Sequence, residues 1–180
     1  MIIIINDRIH ERIGSMRKPG GLRGESAGFL IAQVGAHAAS RFGEALKPHG
    51  FTPHDAGILR LVGLTPGISQ QELAKRLRMH ASRLVGVLDD LEDRGLVERR
   101  ASATDRRLYA LHLTSVGESA LGTIGQVGRE HHRALLASLS EEERTSLAAM
   151  LARIAEQQGL VPGVHPGYSK GGAENNTKRP

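Results

Sequence analysis

The stretch Ser69-Gln70-Gln71-Glu72-Leu73-Ala74-Lys75-Arg76-Leu77-Arg78-Met79-His80-Ala81-Ser82-Arg83-Leu84 decides the fold, and its punctuation is local. Ser69 followed three residues later by Glu72 has the form of a capping box. It opens a short helix over 70–77 that turns Leu73, Ala74 and Leu77 inward. A tight joint follows near Arg78-Met79-His80. Ser82 is placed to cap a second helix, 81–94, which buries Leu84, Leu88 and Leu91 and ends at Gly95. A short helix, a tight turn and a second helix have the proportions of a helix-turn-helix, whose second helix lies in the DNA major groove.

Charge agrees with that geometry. From Ser69 to Val87 the cations are Lys75, Arg76, Arg78 and Arg83, against Glu72 alone. Asp89, Asp90, Glu92 and Asp93 come only further down the second helix. Positive charge therefore gathers at the N-terminal end of that helix, where the backbone adds its own partial positive charge.

Just downstream, Val97–Arg100 and Leu108–Leu113 read as two short strands with Ser102–Arg107 as the loop between them. This hairpin carries Arg99, Arg100, Arg106 and Arg107 against Glu98 and Asp105. An arginine-tipped wing suits the minor groove, whose narrow A·T stretches concentrate negative potential. Asp105 is placed to pair with Arg107 and fix its direction.

Upstream, Ala27–Lys47 carries Leu30, Val34, Ala38, Phe42 and Ala45 at helical spacing and stops before Pro48-His49-Gly50. Thr52-Pro53-His54-Asp55 is a strong helix start, and Ile58, Leu59 and Val62 share one face behind it. Downstream, Thr114 starts a long helix over about 115–138. Ser140-Glu141-Glu142-Glu143 is a second capping box, opening a last helix to about Glu156. The fold class is mainly α with a small β-hairpin wing.

The ends differ. Residues 1–25 read as a loosely held segment, with Met16 an alternative start. Residues 159–180, rich in Gly, Pro, Asn and Lys, read as a disordered tail. The domain proper is 26–158.

The whole composition sets bounds. The 180 residues suffice for one ordinary domain. Aromatic residues make up only 3% and Trp is absent, so a core of Leu, Ile, Val and Ala points to packed helices. There is no cysteine, which excludes disulfides, Cys-ligated metal sites and thiol chemistry. A net charge of +5 is compatible with a polyanionic partner. No run reaches the ~20 apolar residues of a membrane helix, and no sorting signal is visible, so the expected location is the cytoplasm.

Against this background, Gly50–Gly117 resembles the winged helix-turn-helix of the MarR family of bacterial regulators. The matching stretches are Ile68–Leu77, Leu91–Arg100 and Thr104–Gly117, with Asp105-Arg106-Arg107 followed by Leu-x-Leu-Thr the most diagnostic. Flanking helices extend the match over about 27–157. The resemblance implies a homodimer built on helices 27–48 and 115–157, with the winged domain at 52–114. It also implies a palindromic operator in double-stranded DNA, with half-sites about 34 Å apart. Carried over by position, Ala81, Ser82, Arg83 and Gly86 face the bases, while Arg106 and Arg107 reach the minor groove. Ser69, Gln70 and Arg78 join them as contacts, and Arg99 and Arg100 are phosphate contacts or merely solvated. Many members place Thr-Arg where this chain has Val85-Gly86, which shifts base readout toward Ser82 and Arg83.

The resemblance further implies a repressor loosened by a small aromatic or phenolic effector. His37, Arg41 and His54 are the nearest polar candidates for it. Two other readings compete with this one. A zinc sensor on the same fold would draw on His37, His54 and one of His131 and His132, since adjacent residues point to different helix faces. Gly24-Glu25-Ser26-Ala27-Gly28 has the nucleophile-elbow pattern of a hydrolase, but the strand and parallel sheet that elbow needs are missing. Ser26 is better read as a helix cap. No catalytic residue, metal site or cofactor is expected.

Overall fold

The computed structural model describes residues 26–101 and 109–164. The chain divides into two compact units, 1–36 and 37–180. The described part of the first unit is the opening of helix α1 (Ala27–Leu46). Its start is capped as the sequence suggests, with Ser26 Oγ accepting the Phe29 N–H at 3.2 Å. Leu30 and Val34, which lie at helical spacing, are exposed together with Phe29 and Ile31.

In the second unit, the end of α1 runs into a 3-10 turn (Lys47–His49) closed by Gly50 at φ 74°. Then come α2 (Pro53–Leu64), β1 (Ile68–Ser69), α3 (Gln70–Leu77), α4 (Ala81–Asp93), β2 (Val97–Ala101), β3 (Tyr109–Leu113), α5 (Ser115–Leu135) and α6 (Glu141–Gln157). The strands form an antiparallel sheet in the order β1-β3-β2. β2 and β3 pair from Val97↔Leu113 to Ala101↔Tyr109, the expected hairpin. The third strand was not expected, because two residues carry no alternation to read. Ile68 pairs with Leu111, and both side chains enter the core.

Local chemistry explains most boundaries. Thr52 Oγ1 accepts the Asp55 N–H at 3.2 Å and Asp55 returns a bond to the Thr52 N–H at 2.9 Å, a complete capping box. Ser140 and Glu143 repeat it at 3.3 and 2.8 Å. The box at Ser69 is only half made. Ser69 accepts the Glu72 N–H, but the Glu72 carboxylate turns to Arg76 instead. The long helix ends at Leu135 rather than near residue 138, where Leu136 closes it.

One cap was misplaced. α4 begins at Ala81 with His80 as its N-cap residue, and the His80 carbonyl takes the Arg83 and Leu84 N–H groups. Ser82 therefore lies inside the first turn, exposed. The joint before it is fixed by Met79, which is buried, and by Arg78, which adopts a left-handed φ of 50°.

The core gathers Leu46, Ile58, Leu59, Val62, Leu73, Leu77, Leu84, Leu88, Leu91 and Leu111, each at most 1% exposed. The expected faces of α2, α3 and α4 are all buried, with Ala74 of α3 only slightly less so than these. α5 joins at Gly117, where a Cβ would lie 1.9 Å from the Leu96 carbonyl oxygen. Only glycine permits that approach.

Gly159–Val164 departs from the expected tail. Gly159 at φ 63° ends α6, and the Leu160 N–H returns to the Ala155 carbonyl at 3.0 Å. Val161-Pro162-Gly163-Val164 closes a turn, with Gly163 at φ 73°, and sets Val164 against the core. The expected loose segment 1–25, the rest of the tail, and the wing loop with Asp105, Arg106 and Arg107 lie outside the described residues.

Candidate nucleic-acid interface

Burial of Leu84, Leu88 and Leu91 fixes which side of α4 faces outward. Ala81, Ser82, Val85 and Gly86 stand on that outer side, all exposed, and Arg83 is half-buried beside them. A Cβ added at Gly86 would meet nothing within 4 Å, so the middle of the helix offers backbone rather than a side chain. Ser69 and Gln70, half-buried, stand at the start of α3. Arg78 is exposed between the two helices, and its guanidinium donates to the Gly159 carbonyl at 3.3 Å.

Arg99 and Arg100 behave differently from each other. The Arg99 guanidinium bonds to Asp89 at 2.7 Å and to Glu92, leaving the side chain 18% exposed. Its backbone N–H also donates to Glu92 at 3.2 Å. Burial acts to lower the Arg99 pKa, but the Asp89 and Glu92 carboxylates outweigh it and raise it. Arg99 thus ties β2 to α4 and uses up acidic groups of the lower helix. Arg100 pairs with Glu98 at the surface. Sequence reasoning missed the tie, because it depends on which carboxylates the β2 register brings alongside.

A second junction lies at the same, C-terminal end of α4. Arg94 reaches Asp90 at 3.1 Å, Asp55 at 3.3 Å and the Gly50 carbonyl at 2.9 Å. The guanidinium carbon also sits 5.4 Å from the centre of the Phe51 ring.

One residue from Gly50, His49 lines a cavity of about 460 Å³ with His37, Arg41, Ala45, Val127, Glu130, His131, Ala134 and Leu135. His37 and Arg41 line one cavity, and His54 does not line it. His131 lines it and packs 5.7 Å from the Phe42 ring, whereas its neighbour His132 does not. Burial, reinforced by the charges of Arg41, His132 and His37, holds the His131 imidazole below its ordinary pKa. His49, Glu130 and His131 were missed in this role because the cavity forms between α1 and α5, elements far apart in sequence. Among the described residues no group of three His, Asp or Glu side chains is arranged to hold a metal ion.

Residues 49–108 match the family model described as MarR family. A curated relative from Thauera aromatica, named for transcriptional regulation of the hcr operon, is 35% identical over 79% of this chain and 86% of its own. The chain belongs to the MarR family. This MarR protein is also similar to the solved structure of a transcriptional repressor, CouR, bound to a 23-mer DNA duplex. The two are 31% identical, with a TM-score of 0.65 over 72% of this chain and 92% of that one. A mutant of Escherichia coli MarR complexed with operator DNA gives 28% identity and a TM-score of 0.62 over 71% and 91%. The mainly helical architecture with its small antiparallel sheet is the winged helix of this family of regulators.

Proposed function

We propose that this MarR protein is a homodimeric repressor that binds an inverted-repeat operator in double-stranded DNA. In this reading a small aromatic or phenolic anion loosens its grip. The observation that carries the reading is the outer face of α4, where Ala81, Ser82 and Gly86 are exposed beside Arg83 and just after Arg78. In this role Ala81, Ser82, Arg83 and Gly86 meet base edges, and Ser69, Gln70, Arg78 and Arg100 meet phosphates. Arg106 and Arg107, directed by Asp105, enter the minor groove. Arg99, held by Asp89 and Glu92, positions the wing.

Dimerisation is supported by apolar side chains that the described chain leaves uncovered, Phe29, Leu30, Ile31 and Val34 on α1 and Met150, Leu151 and Ile154 on α6. The effector reading is supported by the half-apolar cavity with His37, Arg41 and His131 on its wall. His54 holds no place in it. The ligand acts only through a difference in affinity between two dimer geometries.

Selection of bound duplexes from a random pool tests the reading, followed by gel shift with aromatic carboxylates and phenolates. An enriched inverted repeat, bound by two copies and released by one of these anions, is the expected result. A pool without enrichment contradicts the reading.

A further inference from the structure

Two arginines from different helical elements hold two carbonyls of the segment Gly159–Val164. Arg60, projecting from α2, donates to the Gly163 carbonyl at 3.3 Å, and its guanidinium also covers the Gly163 Cα. Arg78, in the turn between α3 and α4, donates to the Gly159 carbonyl at 3.3 Å. Both carbonyls belong to glycines in left-handed conformation, at φ 63° and 73°. The segment is therefore shaped by backbone positions that suit glycine, and Val164 pins its far end to the core.

Arg78 gives the second clue. It is the one non-glycine residue at positive φ among the described residues. A side chain there carries a strain that glycine would relieve, and it is the guanidinium of this residue that reaches the segment. In the structure it holds the strap.

We infer that Gly159–Val164 is a strap that positions the helix-turn-helix turn, joining α2 to the start of the recognition helix through Arg60 and Arg78. This rests on the DNA-binding reading above for its consequence, but not for its geometry. With the strap seated, the turn at Arg78–His80 is braced from outside, and Ser82 and Arg83 are presented in one orientation. Without it, the turn is held only by its own backbone bonds and by Met79, and ordering it on DNA costs affinity.

Two truncations of the full chain test this, one ending at Gln158 and one at Val164, with Arg60→Gln as a full-length variant should the shorter chain fail to fold. Hydrogen exchange reads the strap without DNA. Removal of residues 159–180, or Arg60→Gln to a lesser degree, is expected to speed exchange at residues 78–84 by about tenfold. On a selected operator, the same truncation is expected to weaken binding by about three- to tenfold. Removal of 165–180 alone leaves both measurements as in the full chain. In an Arg78→Gly background, which also lacks the phosphate contact proposed above, loss of the strap has no further effect on exchange at residues 79–84 measured without DNA. Unchanged exchange at 78–84 after removal of 159–180 overturns the inference. So does an equal effect of the two truncations. Failure to bind any duplex contradicts the DNA-binding reading instead, and leaves the exchange result to decide the strap.

Discussion

The Arg94 guanidinium lies 3.3 Å from the buried Asp55 carboxylate, so the end of α4 is tied to the first turn of α2. Asp55 serves two partners at once, since it also accepts the Thr52 N–H. Burial acts to lower the Arg94 pKa, but the hydrogen bonds it donates to Asp90 and Asp55, with their charges, outweigh that and raise it, so the arginine stays charged. Beside this junction, Arg94 also holds Gly50, adjacent to the cavity wall at His49. The cavity and the recognition helix thus share a mechanical neighbour.

Removing the shared carboxylate breaks both roles. Asp55→Ala is expected to lower stability by about 2 kcal/mol, combining the lost return bond of the capping box with a lost charge-assisted bond. Asp55→Asn keeps a capping acceptor and is expected to cost less than about 1 kcal/mol. Urea unfolding of the three proteins orders them.

Glycines of α5 separate two effects of the same substitution. At Gly117 a Cβ would meet the Leu96 carbonyl oxygen at 1.9 Å, and backbone cannot swing aside. Gly117→Ala is expected to destabilise by about 2–3 kcal/mol. Gly122 is exposed with nothing within 4 Å of an added Cβ. Gly122→Ala is expected to stabilise by about 0.5–1 kcal/mol through helix propensity. Thermal unfolding of the pair should move in opposite directions.

His131 makes stability depend on pH. Its pKa in the folded chain lies below the ordinary 6.5, because burial and the nearby Arg41 oppose protonation. As pH falls through 6.5 the unfolded chain takes up the proton first, so the contribution present above 6.5 is lost toward the lower folded value. Thermal stability should therefore drop across that window, and His131→Leu should flatten the drop. An anion in the cavity favours the imidazolium, so its affinity should rise as pH falls over the same range.

The wing and the helix should respond differently to substitution. Arg100→Gln is expected to weaken binding uniformly across sequences and to reduce the salt slope by about 1. Arg99→Gln should instead destabilise the hairpin, since its guanidinium is spent on Asp89 and Glu92. Salt titrations of DNA binding, with unfolding curves alongside, distinguish the two arginines.

Much of this was legible because local chemistry decided it. Thr52 and Asp55 mark a helix start within four residues, and the inward positions of α2, α3 and α4 follow from period alone. The failures are all nonlocal or marginal. Ser82 lost the capping position because the buried Met79 and the His80 carbonyl set the cap two residues earlier. Arg99 depends on strand register, β1 on a partner some forty residues away, and the cavity on α1 meeting α5. The strap was hidden by composition, since Gly and Pro read as disorder when they also build a specific turn. Leu30 and Val34 have the spacing of buried residues, yet the described chain leaves them exposed.

The most direct measurement is quantitative gel shift of the wild type and Arg83→Ala on the selected duplex and on single-base variants of it. The expected result is two protomers per inverted repeat, with Arg83→Ala losing about 1–3 kcal/mol and its preference at one base step of each half-site. Equal affinity and equal base preference for the two proteins would contradict the assignment of α4 as the reading helix.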